Sequence, residues 1–107
     1  MAFPTIDELN LLHNKMCTAI SDPKRMLIMY ALHDEPRHVT ALAKALDFPQ
    51  STVSRHLAIL RQRGLVTNER NGAAVIYRLT DDRIISVLDT MRDLLRESLE
   101  RQTEKLG

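Results

Sequence analysis

A mainly α-helical domain carrying one β-hairpin is the fold class this sequence predicts, on three observations. Apolar residues recur at helical spacing along residues 5–63 and again along residues 81–105, the stretch between them turns β-prone, and an Asn-Gly pair, Asn71 and Gly72, sits inside that stretch. The 107 residues suit a single domain, with no low-complexity linker, no internal repeat and no apolar run near the roughly 20 residues of a bilayer span. The opening MAFPTIDELN is neither basic nor apolar enough for a signal peptide, so the expected location is cytoplasmic. One cysteine, Cys17, can form no internal disulfide. With no Trp, two Tyr and two Phe, the core must come mainly from Leu, Ile, Val, Ala and Met, and a core so poor in aromatics points to an oligomer.

The expected order is four helices, two strands and a last helix. Residues 5–20 read as the first helix, with Ile6, Leu9, Leu12, His13 and Met16 at helical spacing. In the following SDP, Asp22 is a good cap and Pro23 suits a first helical position, where its missing N–H costs nothing. The second helix then runs to about Asp34 and buries Leu27, Ile28, Ala31 and Leu32. After a DEPRH turn, Val39, Leu42, Ala43 and Leu46 mark a short third helix, with Thr40 as its candidate cap. DFPQ ends it, since Asp47 can adopt a left-handed backbone and Pro49 pushes Phe48 out of the helical region.

The fourth helix is QSTVSRHLAILRQRGLV up to Gly64, with Val53, Leu57 and Leu60 on one face. LVTNER and AVIYRL read as strands joined at Asn71 and Gly72. From Thr80 or Asp81 to about Lys105 the last helix carries a stripe of Ile84, Leu88, Met91 and Leu95, yet Ile85, Val87, Leu94 and Leu99 are apolar too. One domain needs no apolar surface that broad, so a partner should cover part of it.

The net charge of +1 conceals a sorting along the chain. Residues 50–78 carry five arginines against one acid, a net +4 before His56 is counted, whereas residues 81–105 carry seven acids against five bases. Two short helices joined by a tight turn and followed by a β-hairpin are the layout of a winged helix-turn-helix, whose second helix of the pair lies in the DNA major groove. Such a helix taken alone is most often a solvated surface helix, and it is the surrounding order of elements that points to DNA. Gln50, Ser51, Thr52, Ser54, Arg55 and His56 would then face base edges and phosphates, because Arg can grip guanine and Gln adenine through paired hydrogen bonds. Asn68, Arg70, Asn71 and Arg78 of the hairpin would reach the backbone or the adjoining minor groove.

TVSRHLAILRQRGLV, with ISDPKRMLIMYAL before it and GAAVIYRL after it, resembles the ArsR/SmtB family of dimeric winged helix-turn-helix repressors. The likeness runs from about Leu9 to Leu99 and is most specific at Ser54, Arg55, His56, Leu57, Leu60, Gly64, Leu65 and Val66. It implies a homodimer formed by the first and last helices, about residues 5–20 and 81–105, that binds an imperfect palindrome in double-stranded operator DNA and leaves it when an effector binds.

Many members of the family sense metals, and the resemblance locates two sites to check. Before the third helix a Cys-x-Cys pair is required, and His38 and Thr40 stand there. On the last helix Asp81 and Glu97 match, but Arg83 and Leu94 replace the two histidines, so neither usual site is expected to hold metal. His13 and Cys17, four residues apart, could give zinc or another metal two ligands, short of the three or four of a zinc site. Core packing of Cys17 and a hydrogen-bonded His13 is the plainer reading, and oxidation of Cys17 between two protomers a sharper one. No cofactor is expected, and Met16, Met26, Met29 and Met91 read as packing residues.

No nucleophile elbow, Gly-rich phosphate loop or HExxH motif is present, and the expectation is that the protein is not an enzyme. The rival is a winged helix used as a protein-interaction or assembly module without an effector. Such a module has no reason to concentrate arginine on the fourth helix and hairpin while leaving the last helix acidic.

Overall fold

The computed structural model describes residues 2–106. Helix α1 is Ile6–Leu12, a π-helical turn follows at His13–Cys17, and α2 is Thr18–Ile20. Then come α3 (Pro23–Asp34), β1 (Arg37–His38), α4 (Val39–Leu46), α5 (Gln50–Gln62), β2 (Val66–Asn71), β3 (Ala74–Leu79) and α6 (Arg83–Leu106). The winged helix-turn-helix order holds, but the first helix is interrupted by the π turn and a short strand precedes α4. That strand joins the hairpin in an antiparallel sheet of order β1-β3-β2, with Arg37 opposite Tyr77 and Asn68 opposite Tyr77 on the other side. Two residues are too few to show a period of two, which is why DEPRH read as a turn.

Local chemistry accounts for the boundaries. Asp22 Oδ1 accepts the amides of Lys24 at 2.8 Å and Arg25 at 3.2 Å, with Pro23 opening α3. For α4 the cap is His38 and not Thr40: the imidazole Nδ1 accepts the Thr40 amide at 3.1 Å. Asp47 ends α4 in a left-handed conformation, φ 56°, with the Phe48 amide donating to the Ala43 carbonyl at 3.0 Å. Gly64, φ 78°, does the same for α5, and the Leu65 amide returns to the Leu60 carbonyl at 2.9 Å. The hairpin turn falls one residue later than Asn-Gly suggests, because Asn71 pairs with Ala74 and leaves Gly72 and Ala73 as the loop. Gly72 takes φ 67° at the first loop position, where a side chain would be strained.

Helix α3 is the spine, in contact with α2, α4, α5, β3 and α6. Its Ile28, Met29 and Leu32 share one core with Leu42 and Ala43 of α4, Val53, Leu57 and Leu60 of α5, Leu65, Val66, and Ile84, Ile85 and Leu88 of α6. The stripe of α3 is rotated from the expected one: Met29 is fully buried while Leu27 is 45% exposed. No side chain of α1 is buried, and α6 buries nothing beyond Leu88 except partly Ser98 among the described side chains. The radius of gyration is accordingly 16.7 Å, against about 13 Å for a compact chain of this length. No helix among the described residues is long and apolar enough to cross a membrane.

Leu57 is 1% exposed at the centre of the face that seats α5. Leu57→Ala is expected to lower the unfolding free energy by about 2–5 kcal/mol in urea titrations, the cost of removing buried methyls and leaving a cavity.

Candidate nucleic-acid interface

The packing of Val53, Leu57 and Leu60 inward turns the opposite side of α5 to solvent. Gln50, Ser51, Ser54 and Arg55 are exposed and Thr52 is half-buried. Pro49 precedes the helix and offers no side-chain cap, while its carbonyl accepts the amides of Thr52 and Val53. The first-turn amides of Gln50 and Ser51 therefore point out of the helix end without a cap from that residue.

His56 departs from the expected face. It is 5% exposed and its Nδ1 lies 3.3 Å from Nη1 of Arg25, a half-buried residue of α3. Burial lowers its pKa below the usual 6.5, opposed by the nearby Asp22 carboxylate and assisted by the charges of Arg25, Arg55 and Lys24. The ring is thus placed against Arg25 and off the outward face that Ser51, Ser54 and Arg55 share. Its position three residues after Val53 and one before Leu57 puts it at the border of the apolar stripe, and the sequence alone does not say to which side the ring turns.

The hairpin residues divide between two faces, since neighbours along a strand alternate. Asn68 and Arg70 share a face with the buried Val66, whereas Asn71 and Arg78 belong to the other. Arg78 is held by Glu69 across the hairpin at 2.7 Å, so much of its charge is already answered. Arg55, Arg61 and Arg70 have no acidic partner within ion-pair distance among the described residues. Arg61 was not among the sequence candidates. It lines an open polar recess with Thr67, Asn68 and Thr80 where α5 meets the wing, and its spacing of seven from Ser54 was the available signal.

The residues at the family's metal positions do not fit a metal. Arg83 Nε and Nη2 bind both Asp81 carboxylate oxygens at 2.8–3.2 Å, which holds the Asp81 pKa below the ordinary carboxylate range. His38 uses Nδ1 to cap α4, and Thr40 offers no ligand. Cys17 is exposed, not buried in the core, and lines an apolar groove with Leu12, Met16, Ile20, Met26, Ile84, Val87 and Met91. His13 Nδ1 pairs with Asn14 Oδ1 at 3.2 Å. Among the described residues no three His, Cys, Asp or Glu side chains gather as a metal site.

A winged helix with an outward polar recognition helix defines the class of nucleic-acid-binding regulators. A family model described as "Bacterial regulatory protein, arsR family" matches residues 22–68. Nodulation protein NolR of Rhizobium meliloti is 32% identical over 88 residues, 82% of this chain and 72% of that protein. HTH-type transcriptional regulator NmtR of Mycobacterium tuberculosis is 39% identical over 71 residues, 66% of this chain and 59% of that protein, so the chain spans less than two thirds of that relative. The solution structure of the homodimeric winged helix-turn-helix DNA-binding domain Mb0332 from Mycobacterium bovis superposes with a TM-score of 0.75 at 26% identity, covering 94% of this chain and 95% of that one. The chain belongs to the ArsR family of bacterial regulatory proteins, a family of regulators and not of enzymes.

The buried His56 gives a pH signature. With a folded pKa below 6.5, the stability it contributes is present above pH 6.5 and is lost as pH falls from there through the lower folded value, because the unfolded chain takes up the proton first. Melting curves should show a fall in Tm between pH 7 and pH 5.5, about the range in which an unperturbed imidazole titrates, and His56→Gln should flatten that dependence.

Proposed function

We propose that the protein is a homodimeric, cytoplasmic repressor that binds an imperfect palindrome in double-stranded operator DNA and leaves it when an effector binds. One observation carries the reading: α5 turns Val53, Leu57 and Leu60 inward and presents Gln50, Ser51, Ser54 and Arg55 to solvent, with no acid paired to Arg55 among the described residues. Ser51, Thr52 and the open amides of the first turn suit phosphates, Arg55 and Gln50 suit base edges, and Arg61, Asn68, Arg70 and Asn71 suit the backbone beside the groove. Arg78 adds less, because Glu69 competes for it.

The dimer is supported by the apolar side chains left outside in a single protomer. Ile6, Leu9, Leu11 and Leu12 of α1 and Val87, Met91, Leu94, Leu95 and Leu99 of α6 are all exposed. Closing that surface against a second copy would pair the first and last helices and set two α5 helices roughly 34 Å apart, the spacing of successive major grooves. The groove that exposes Cys17, with His13 four residues before it, is where an effector or oxidant would act on the dimer.

Fluorescence anisotropy on duplexes from upstream of the gene tests the reading. Affinity should fall steeply with rising salt, as counterions released from phosphates demand. Arg55→Ala should weaken the operator complex by about 1–3 kcal/mol and relax selectivity, while Arg70→Ala should weaken all duplexes alike. Absence of duplex binding at low salt would leave the protein-interaction module as the function.

A further inference from the structure

Arg25 joins three parts of the fold. Its Nε donates to the Ala19 carbonyl at 2.5 Å, its Nη2 to the Thr18 carbonyl at 3.0 Å, and its Nη1 faces His56 Nδ1 at 3.3 Å. Its own amide is held by Asp22. The two carbonyls lie at the end of α2, where no further helical amide follows to meet them. A second tie runs parallel to this one. Arg63, the residue that ends α5, donates through Nη1 to the Asn14 carbonyl inside the π turn, and the Thr18 hydroxyl donates to the same carbonyl at 2.8 Å. Both ties join guanidinium groups of the α3–α5 body to main-chain carbonyls of residues 14–19.

We propose that Arg25 is a positioning residue for DNA recognition, one that sets where α5 stands relative to the N-terminal helical segment by holding the Thr18 and Ala19 carbonyls and His56 at once, with the Arg63 to Asn14 bond as its second anchor. The proposal rests on the operator-binding reading above. Helix α1 buries no side chain within the protomer, so its placement comes through the π turn and α2. If α1 packs across the dimer axis, the two ties set the distance of each α5 from that axis, and with it the half-site spacing the dimer accepts. Neither arginine is then free for phosphate, although both count toward the basic balance of the chain.

Arg25→Lys keeps the charge but lacks the planar fork that reaches several acceptors together. It is expected to lose about tenfold in affinity on the operator and clearly less on a scrambled duplex, since attraction to phosphates does not require α5 in register. Arg63→Ala should shift the same ratio, and it serves if the Arg25 variants fold poorly by their melting curves. A reading without DNA accompanies these. The imidazole signals of His56 are followed by NMR against pH in the wild type, Arg25→Gln and Arg63→Ala, with Asp22, Lys24 and Arg55 left as the other charges facing the ring. Removing the guanidinium should move the His56 midpoint upward in Arg25→Gln and leave it in place in Arg63→Ala.

If the wild type discriminates the operator while Arg25→Lys and Arg63→Ala lose equally on both duplexes, or lose nothing, the positioning role is overturned. An unmoved His56 titration in Arg25→Gln overturns the contact itself. If the wild type binds no duplex, the operator reading falls, and the His56 titration alone decides whether the tie exists.

Discussion

The seating of α5 on α3 and α4 is the contact that the remaining features depend on. Thirteen residues make a helix that is marginal by itself in water, so α5 owes its stability to the stripe of Val53, Leu57 and Leu60 buried in the common core. The same contact decides which side chains are left outside. A wider buried stripe would remove Ser54 or Arg55 from solvent, and a narrower one would leave the helix loosely held. Arg25 and His56 sit at the edge of this compromise, where a polar ring has been drawn inward and faces a guanidinium.

Charge is organised by the tertiary structure more finely than by chain position. Residues 50–78 carry the basic excess, yet Arg63 is bonded to a main-chain carbonyl and Arg78 to Glu69. What faces outward unopposed among the described residues is a smaller set, Arg55, Arg61 and Arg70. From Asp81 to Arg96 the charges are paired within the chain, Asp81 with Arg83, Asp82 with His33, Asp89 with Arg92 and Asp93 with Arg96. Arg92 also lies over the Tyr30 ring, whose hydroxyl donates to Asp89, so this cluster ties α6 to α3 where the buried contacts end.

The two ends of the chain have a different physical character from the middle. Helices α3 to α5 and the sheet close a core, while α1 and the outer two thirds of α6 carry leucines and Met91 into solvent. That division accounts for a radius of gyration larger than a compact domain needs, and it leaves Cys17 on an apolar groove between them instead of inside the core.

The sequence by itself determined the types of the longer elements, the helix-turn-helix spacing and the outward polar face of α5, because a period of 3.6, a proline, and residues able to turn left-handed at Asp47 and Gly64 act within a few positions. It also showed the excess apolar surface of α6, since eight apolar residues exceed what one buried stripe can hold. Only the tertiary structure decided the rest. Period alone does not say whether Leu27 or Met29 faces the core, and that depends on which neighbours α3 meets. The capping of α4 by His38, the two-residue β1 and the turn at Gly72 and Ala73 each depend on a partner strand or ring that local pattern does not reveal. The π turn at His13–Cys17 and the burial of His56 were invisible for the same reason: both involve arginines far along the chain, Arg63 at Asn14 and Arg25 at His56, and bonds of that sequence separation exist only once the core has brought their elements together.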